Sequence, residues 1–204
     1  MKRIVLFTAI LMATIVVKAQ GEEGDFTIQP KVGINLSSLS DADKAIVEVN
    51  FGFEGEYMLT DNLSFAAGVI VSNQGAKYDS SSAGSYTADL DYANVPVVLN
   101  YYVLPGLAIK AGVQPGFRVK AKAKTDGASM DLDEVYNSIS KLTGEEVKIS
   151  KFDFSIPVGI SYEYKNIVLD ARYNWGLIKL LNIGDAFYNR VFQLTLGYKF
   201  NIDL

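Results

Sequence analysis

The sequence predicts an all-β fold: an eight-stranded antiparallel up-and-down transmembrane β-barrel, with an N-terminal signal peptide and one short helix in its third long loop. Three observations lead there. Runs of about eleven to thirteen residues alternate strictly between apolar and polar, a period of two with none of the 3.6 spacing of a helix. Three connections of two or three residues alternate with four longer ones, as when tight turns face the periplasm and loops face outside. The 204 residues include 17 Gly, 12 Tyr and 11 Phe but only 5 Pro, a mixture that favours strands.

The elements follow in order. Lys2 and Arg3 precede an apolar run from Ile4 to Val17, and Val17-Lys18-Ala19 has the small-x-small form of a cleavage site, so residues 1–19 read as a cleaved signal peptide. The run is too short for an ordinary membrane-spanning helix; an uncleaved anchor or a buried helix is the competing reading. Residues 20–25 are a short polar lead, and 26–204 are the barrel domain. Strand one, Phe26 to Leu36, places Phe26, Ile28, Pro30, Val32 and Ile34 on one face and Thr27, Gln29, Lys31, Gly33 and Asn35 on the other. A polar loop, Ser37 to Val47, leads to strand two, Glu48 to Leu59, and Thr60-Asp61-Asn62 turns into strand three at Leu63. A Ser/Gly-rich tip, Ser80 to Ser85, precedes strand four, which runs from about Tyr86 to Leu104 before the Pro105-Gly106 turn. Strand five, Leu107 to Lys122, opens the longest connection, Ala123 to Ser150. There Asp131-x-x-Glu134 forms a capping box, and Leu132, Val135, Tyr136, Ile139 and Leu142 keep helical spacing up to Gly144. The last three strands are Phe152 to Tyr164, Ile167 to Leu177 and Phe192 to Ile202. Between the first two of these, Lys165-Asn166 is a two-residue turn in which Asn would take positive φ. Pro30, Pro96, Pro115 and Pro157 fall inside strands, where bulges are expected.

Alternation alone leaves the direction of the apolar face open. A soluble ligand-binding barrel would turn Phe, Leu and Ile inward. Three features favour lipid outside. Glycines gather on the polar face, as a crowded eight-stranded interior requires. The apolar face carries no charge over its central residues. Its aromatics collect toward the strand ends as interfacial girdles, with Phe26, Tyr57, Tyr101, Tyr162, Tyr164, Tyr198 and Phe200 toward the short turns and Trp175 toward the loops. The polar face then becomes a filled lumen, an interior network of Lys31, Glu54, Glu56, Lys110, Arg118, Glu163, Asp170, Arg172 and Lys199. Lys110, Glu56, Glu163 and Lys199 should lie near the short turns and Arg118 near the loops. Charges so confined need partners. They either hold the barrel together or line a proton or small-ion path.

Some chemistry is excluded outright. With no His and no Cys there is no Ser-His or Cys-His nucleophile, no ordinary zinc site and no disulfide framework. Asp41-x-Asp43 and Asp131-x-Asp133 have calcium-like spacing but lack the Gly and distal Glu of an EF-hand loop. No catalytic, cofactor or metal site is expected. Loss of residues 1–19 removes Lys2, Arg3 and Lys18 and no acid, moving the net charge from −4 to −7, which disfavours nucleic acid as a partner.

Lys31-Val-Gly-Ile-Asn-Leu-Ser37, Tyr92-Ala-Asn-Val-Pro-Val-Val-Leu-Asn-Tyr101, Gly159-Ile-Ser-Tyr-Glu-Tyr164 with Leu169-Asp-Ala-Arg-Tyr173, and the closing Leu196-Gly-Tyr-Lys-Phe200 together resemble the PorT-like outer-membrane β-barrel family of Gram-negative bacteria. Pro96 and Gly159 are the positions matched first, both structural. The resemblance implies an integral outer-membrane barrel and carries over no catalytic residues; its name-giving member is linked to protein secretion. The expectation is a non-enzymatic monomer in outer-membrane lipid, inserted by the barrel-assembly machinery, acting as a surface or scaffold protein through its long loops. A protein partner would meet the helix around Leu132 to Leu142 or the apolar loop of Leu180, Leu181, Ile183, Phe187 and Tyr188. A narrow small-solute or ion pore is the alternative role.

Overall fold

A computed structural model describes residues 21–39, 44–80, 84–125, 128–144, 150–179 and 188–203. The signal peptide read at 1–19, the Asp41-x-Asp43 pair and Leu180, Leu181, Ile183 and Phe187 lie outside them.

Alternation turns into a wall of eight strands built from ten of eleven strand segments. In chain order these are β1 (Phe26–Leu39), β2 (Lys44–Thr60), β3 (Leu63–Ser80), β4 (Gly84–Asn94), β5 (Val97–Leu104), β6 (Leu107–Thr125), β7 (Ala128–Asp131), β8 (Phe152–Tyr164), β9 (Ile167–Lys179), β10 (Tyr188–Tyr198) and β11 (Phe200–Ile202), with helix α1 (Leu132–Thr143) after β7. Each wall strand pairs antiparallel with the next wall strand in the chain, β6 reaching β8 past β7, which pairs with β6 alone. β10 and β11 return to β1, with Ile34 opposite Leu194 and Ile28 opposite Phe200, and the cylinder closes. β4 and β5 are one wall strand, and so are β10 and β11. Closure leaves the membrane-crossing wall without a free edge, which lipid would not tolerate.

The faces divide as lipid burial requires. Leu169, Tyr173 and Leu196 are exposed on the outer surface, whereas Arg172 and Lys199 are 2% and 6% exposed inside. A soluble barrel would have the reverse arrangement. Met58, Tyr102 and Ala108 form a small buried apolar cluster near the short turns; the rest of the interior is mainly polar.

The bulges expected at the four prolines are not found. Pro30 opposite Phe53, Pro115 opposite Phe154 and Pro157 opposite Asn174 keep the register of their flanks, and Ala67 opposite Val97 continues the register of Ile70 opposite Asn94 across Pro96. Proline's φ suits an extended strand, so what it removes is one donor, a rung rather than a register. At Pro96 the missing rung separates β4 from β5, while its carbonyl still accepts from Gly68 N at 3.2 Å. Register shifts fall elsewhere, for instance between Asp91 and Tyr92 against β6.

The turns divide their work differently from expectation. Gly106 has φ 77, the left-handed conformation that glycine enters freely. In the Lys165-Asn166 turn the positive φ, 57, falls on Lys165 rather than Asn166. Asn166 serves through its side chain, whose Nδ2 donates to Lys199 O at 2.9 Å. Helix α1 starts and stops where the sequence placed it: Asp131 accepts from Asp133 N at 2.9 Å and Glu134 N at 3.4 Å, and Gly144 caps the C-terminus at φ 74.

Strands run further at the loop end than the sequence suggested. β1 reaches Leu39, β2 begins at Lys44, and β6 extends to Thr125 and pairs with β7, which lies within the connection expected from Ala123 to Ser150. Past the lipid both faces of a strand meet water, so the alternation that betrays a strand fades.

Interior glycines have a local cause. A Cβ added at Gly68 or Gly112 would collide with the backbone of the adjacent strand, at Phe53 O and Val97 O respectively, rather than with side chains across the lumen. Gly112→Ala is therefore expected to lower unfolding free energy by about 1–3 kcal/mol. Urea unfolding of the protein refolded in micelles measures it, and unchanged stability would show that the neighbouring strand yields.

Candidate functional site

The inward positions assemble into layers from the short turns upward. Lowest is Lys199, whose Nζ donates to Glu163 Oε2 at 2.6 Å, Glu56 Oε2 at 2.7 Å and Tyr102 OH at 3.0 Å. The other oxygen of Glu56 accepts from Tyr102 OH at 2.8 Å, Asn100 Nδ2 at 3.0 Å and Ser64 Oγ. Every proton of the ammonium and both carboxylate oxygens of Glu56 are thus engaged.

The middle layer joins strands far apart in sequence. Arg172 Nη1 and Nη2 grip Glu54 Oε1 and Oε2 at 2.6 and 2.7 Å, a bidentate pair, while its Nε and Nη2 reach Asp170 Oδ1 at 2.9 Å and Oδ2 at 2.7 Å. Lys31 Nζ bridges Glu54 Oε2 at 2.9 Å and Asp170 Oδ2 at 3.0 Å, and Lys110 Nζ donates to Asp170 Oδ2 at 2.7 Å. Lys110, expected with the short-turn group, therefore places its ammonium one layer higher. Over the two layers Lys31, Lys110, Arg172 and Lys199 balance Glu54, Glu56, Glu163 and Asp170. This near neutrality makes so many buried charges tolerable.

Above lies a layer of amides and hydroxyls, outside the interior network expected from the charged residues. Asn50 Nδ2 donates to Asn35 Oδ1 at 2.7 Å, Asn35 Nδ2 to Ser72 Oγ at 2.6 Å and Gln74 Nε2 to Ser72 Oγ at 2.8 Å, while Asn189 bonds Gln74. Asn35 and Asn50 sat on the polar face of the alternation, which was the available signal. At the loop end Arg118 donates bidentately to Asp133 at 2.8 and 3.1 Å and through Nε to Ser150 O at 3.1 Å. Arg118 so ties the start of α1 over the mouth. Its hydrogen bonds and charge hold the Asp133 carboxyl below the usual aspartate range, so the pair persists at neutral pH and is lost only in strong acid. The Asp131-x-Asp133 pair caps the helix and grips Arg118, a structural use of both acids.

The outer surface carries the aromatic residues. Tyr57, Tyr101, Tyr164, Trp175, Tyr198 and Phe200 are exposed there, and Phe26 and Tyr162 are half-buried. Phe26 sits opposite Tyr57 and Ile202, and Tyr162 opposite Leu107 and Leu169. Tyr198 packs on Phe200 at 4.8 Å, Trp175 meets Tyr173 edge-on at 6.5 Å, and Lys165 Nζ lies 5.6 Å from the Tyr164 ring.

Comparison with known proteins agrees with this geometry. Residues 18–182 match the family model for the outer membrane protein beta-barrel domain. No curated protein matches in sequence. Among solved structures, Ail, the attachment invasion locus protein of Yersinia pestis, crystallised with the heparin analogue sucrose octasulfate, superposes with a TM-score of 0.52 at 17% identity over 87% of this chain and 99% of that one. Neisserial surface protein A gives 0.50 at 15% identity, covering 87% and 100%. OprG from Pseudomonas aeruginosa gives 0.50 at 15% identity, covering 90% and 99%. At such identities the shared property is the fold.

Proposed function

The chain belongs to the outer membrane protein beta-barrel domain family, and from that premise we propose that it is a sealed, non-enzymatic surface protein whose working part is the loop end. It resides in the outer membrane. Sealing rests above all on the middle layer, where Lys31, Glu54, Asp170 and Arg172 are each at most 4% exposed and bonded to one another across the lumen. An ion entering there would have to break charge-assisted bonds in a space too narrow to hydrate it.

On the outer side, what is available to a partner is the loop-end structure. Arg118 fixes α1 there, and the helix presents Ile139 and Leu142, 37% and 87% exposed, beside Met130 of β7. A monomer inserted by the barrel-assembly machinery and contacting one protein partner through this face is the reading these features support. The segments that resemble PorT-like barrels favour a partner in secretion, in which case the same face would dock a component of that apparatus.

Purified protein in planar bilayers is expected to give no discrete conductance steps. Reproducible openings that disappear with a lumen-blocking substitution would replace this reading with the narrow pore.

A further inference from the structure

The lumen is closed in the middle but open at the short-turn end, where a cavity of about 350 Å3 faces the periplasm. Its charged lining is Glu22, Asp25, Glu56 and Glu163 against Lys165 and Lys199, an excess of acid. The lead is fastened to the rim by backbone bonds: Gly24 N donates to Met58 O at 3.0 Å, and Met58 N to Asp25 O at 2.9 Å. Glu22 and Asp25 are therefore held at the cavity, not trailing from it.

Counting donors and acceptors shows what is left over. The protons of Lys199 are spent on Glu56, Glu163 and Tyr102, and Lys165 is drawn over the Tyr164 ring. Glu163 gives only Oε2 to Lys199, and its Oε1 bonds no described residue. Asp25 Oδ2 accepts from Glu22 N at 2.8 Å, and Oδ1 accepts from no described residue. Thr27, 7% exposed, points inward opposite Glu56 and lines the cavity, yet its buried Oγ1 has no hydrogen-bond partner. Buried hydroxyls nearly always find a partner, so this one is open to a donor that enters the cavity.

We infer that the cavity binds a small organic cation, a primary ammonium or a guanidinium, from the periplasmic side. Three acceptors are unused, on Glu163, Asp25 and Thr27, and an ammonium carries three donors and one positive charge. The volume admits one small molecule or one side chain. A free amine and the Lys or Arg side chain of a periplasmic protein share this chemistry.

The test uses the mature chain refolded in micelles, with backbone amide resonances of Asp25, Thr27, Asn166 and Asn201 followed by NMR. Methylammonium and guanidinium are titrated, with acetate as the anionic control and a terminally blocked Gly-Lys-Gly peptide as a second arm. Saturable shifts are expected with a cation, with a dissociation constant below about 10 mM, and none with acetate. Thr27→Val and Asp25→Asn, neither of which removes a hydrogen bond of the Lys199 cluster, should each weaken binding at least about threefold, and together about tenfold. Heat-modifiable gel mobility verifies that both variants fold. Peptide binding as tight as that of methylammonium identifies a protein side chain as the occupant; methylammonium binding with the peptide excluded identifies a free amine. Shifts that stay linear to about 100 mM, an equal response to acetate, or unchanged affinity in both variants would overturn the inference.

Discussion

Arg172→Met is expected to remove about 3–5 kcal/mol of unfolding free energy, the cost of breaking a buried ion cluster from one side. Among the described residues Arg172 is the only donor to Glu54 Oε1 and to Asp170 Oδ1, and both residues are 1% exposed. Without the guanidinium, Lys31 still reaches Glu54 Oε2 and Asp170 Oδ2, but the other two oxygens are orphaned where water does not follow. Arg172→Lys should fall between wild type and Met: it keeps the charge but not the fork that serves two carboxylates at once. Trp175, the single tryptophan, lies on the outer face one layer away and reports unfolding in urea without engineering. A loss under about 1 kcal/mol for Met, the range of solvent-screened pairs, would mean that the middle of the lumen is wet, and the sealed-barrel reading would lose its main support.

How much of this was legible in the sequence depends on what each segment faces. Where strands cross lipid, the environment forces apolar residues outward at every second position, and the boundaries of β8, Phe152 to Tyr164, could be read directly. Beyond the membrane that demand stops, which is why the end of β6 and all of β7 went unread. Parity also told which charges point inward, but not who meets whom. Arg172 and Glu54 are 118 positions apart, and only closure of the cylinder, with β10 returning to β1, brings their strands within reach. The glycine pattern was visible while its cause was not: at Gly112 the limiting neighbour is the backbone of Val97, a matter of how closely two strands approach. The pairing of Arg118 with Asp133 was hidden for a different reason, since it depends on where a helix after β7 folds back.

Leu196→Arg should cost about 2–4 kcal/mol in bilayer vesicles, because a charge on the lipid face is dearest near the midplane. Leu196 is 53% exposed on the outer surface, opposite Val32 on one side and Leu169 on the other, and about halfway along the stretch from Phe192 to Ile202. Phe200→Arg is the matched control. Phe200 lies on the same face and is 51% exposed, but it sits near the short turns, where a long cationic side chain snorkels to the interface and the cost falls to about 0–1 kcal/mol. The difference between the two reports the polarity of the surroundings at each depth. Both positions are equally open to the surroundings, so in water both substitutions would be nearly free; only a medium whose polarity changes with depth penalises one and spares the other. Equal small losses at the two sites, measured by reversible unfolding from vesicles, would mean that the outer apolar face does not lie in hydrocarbon.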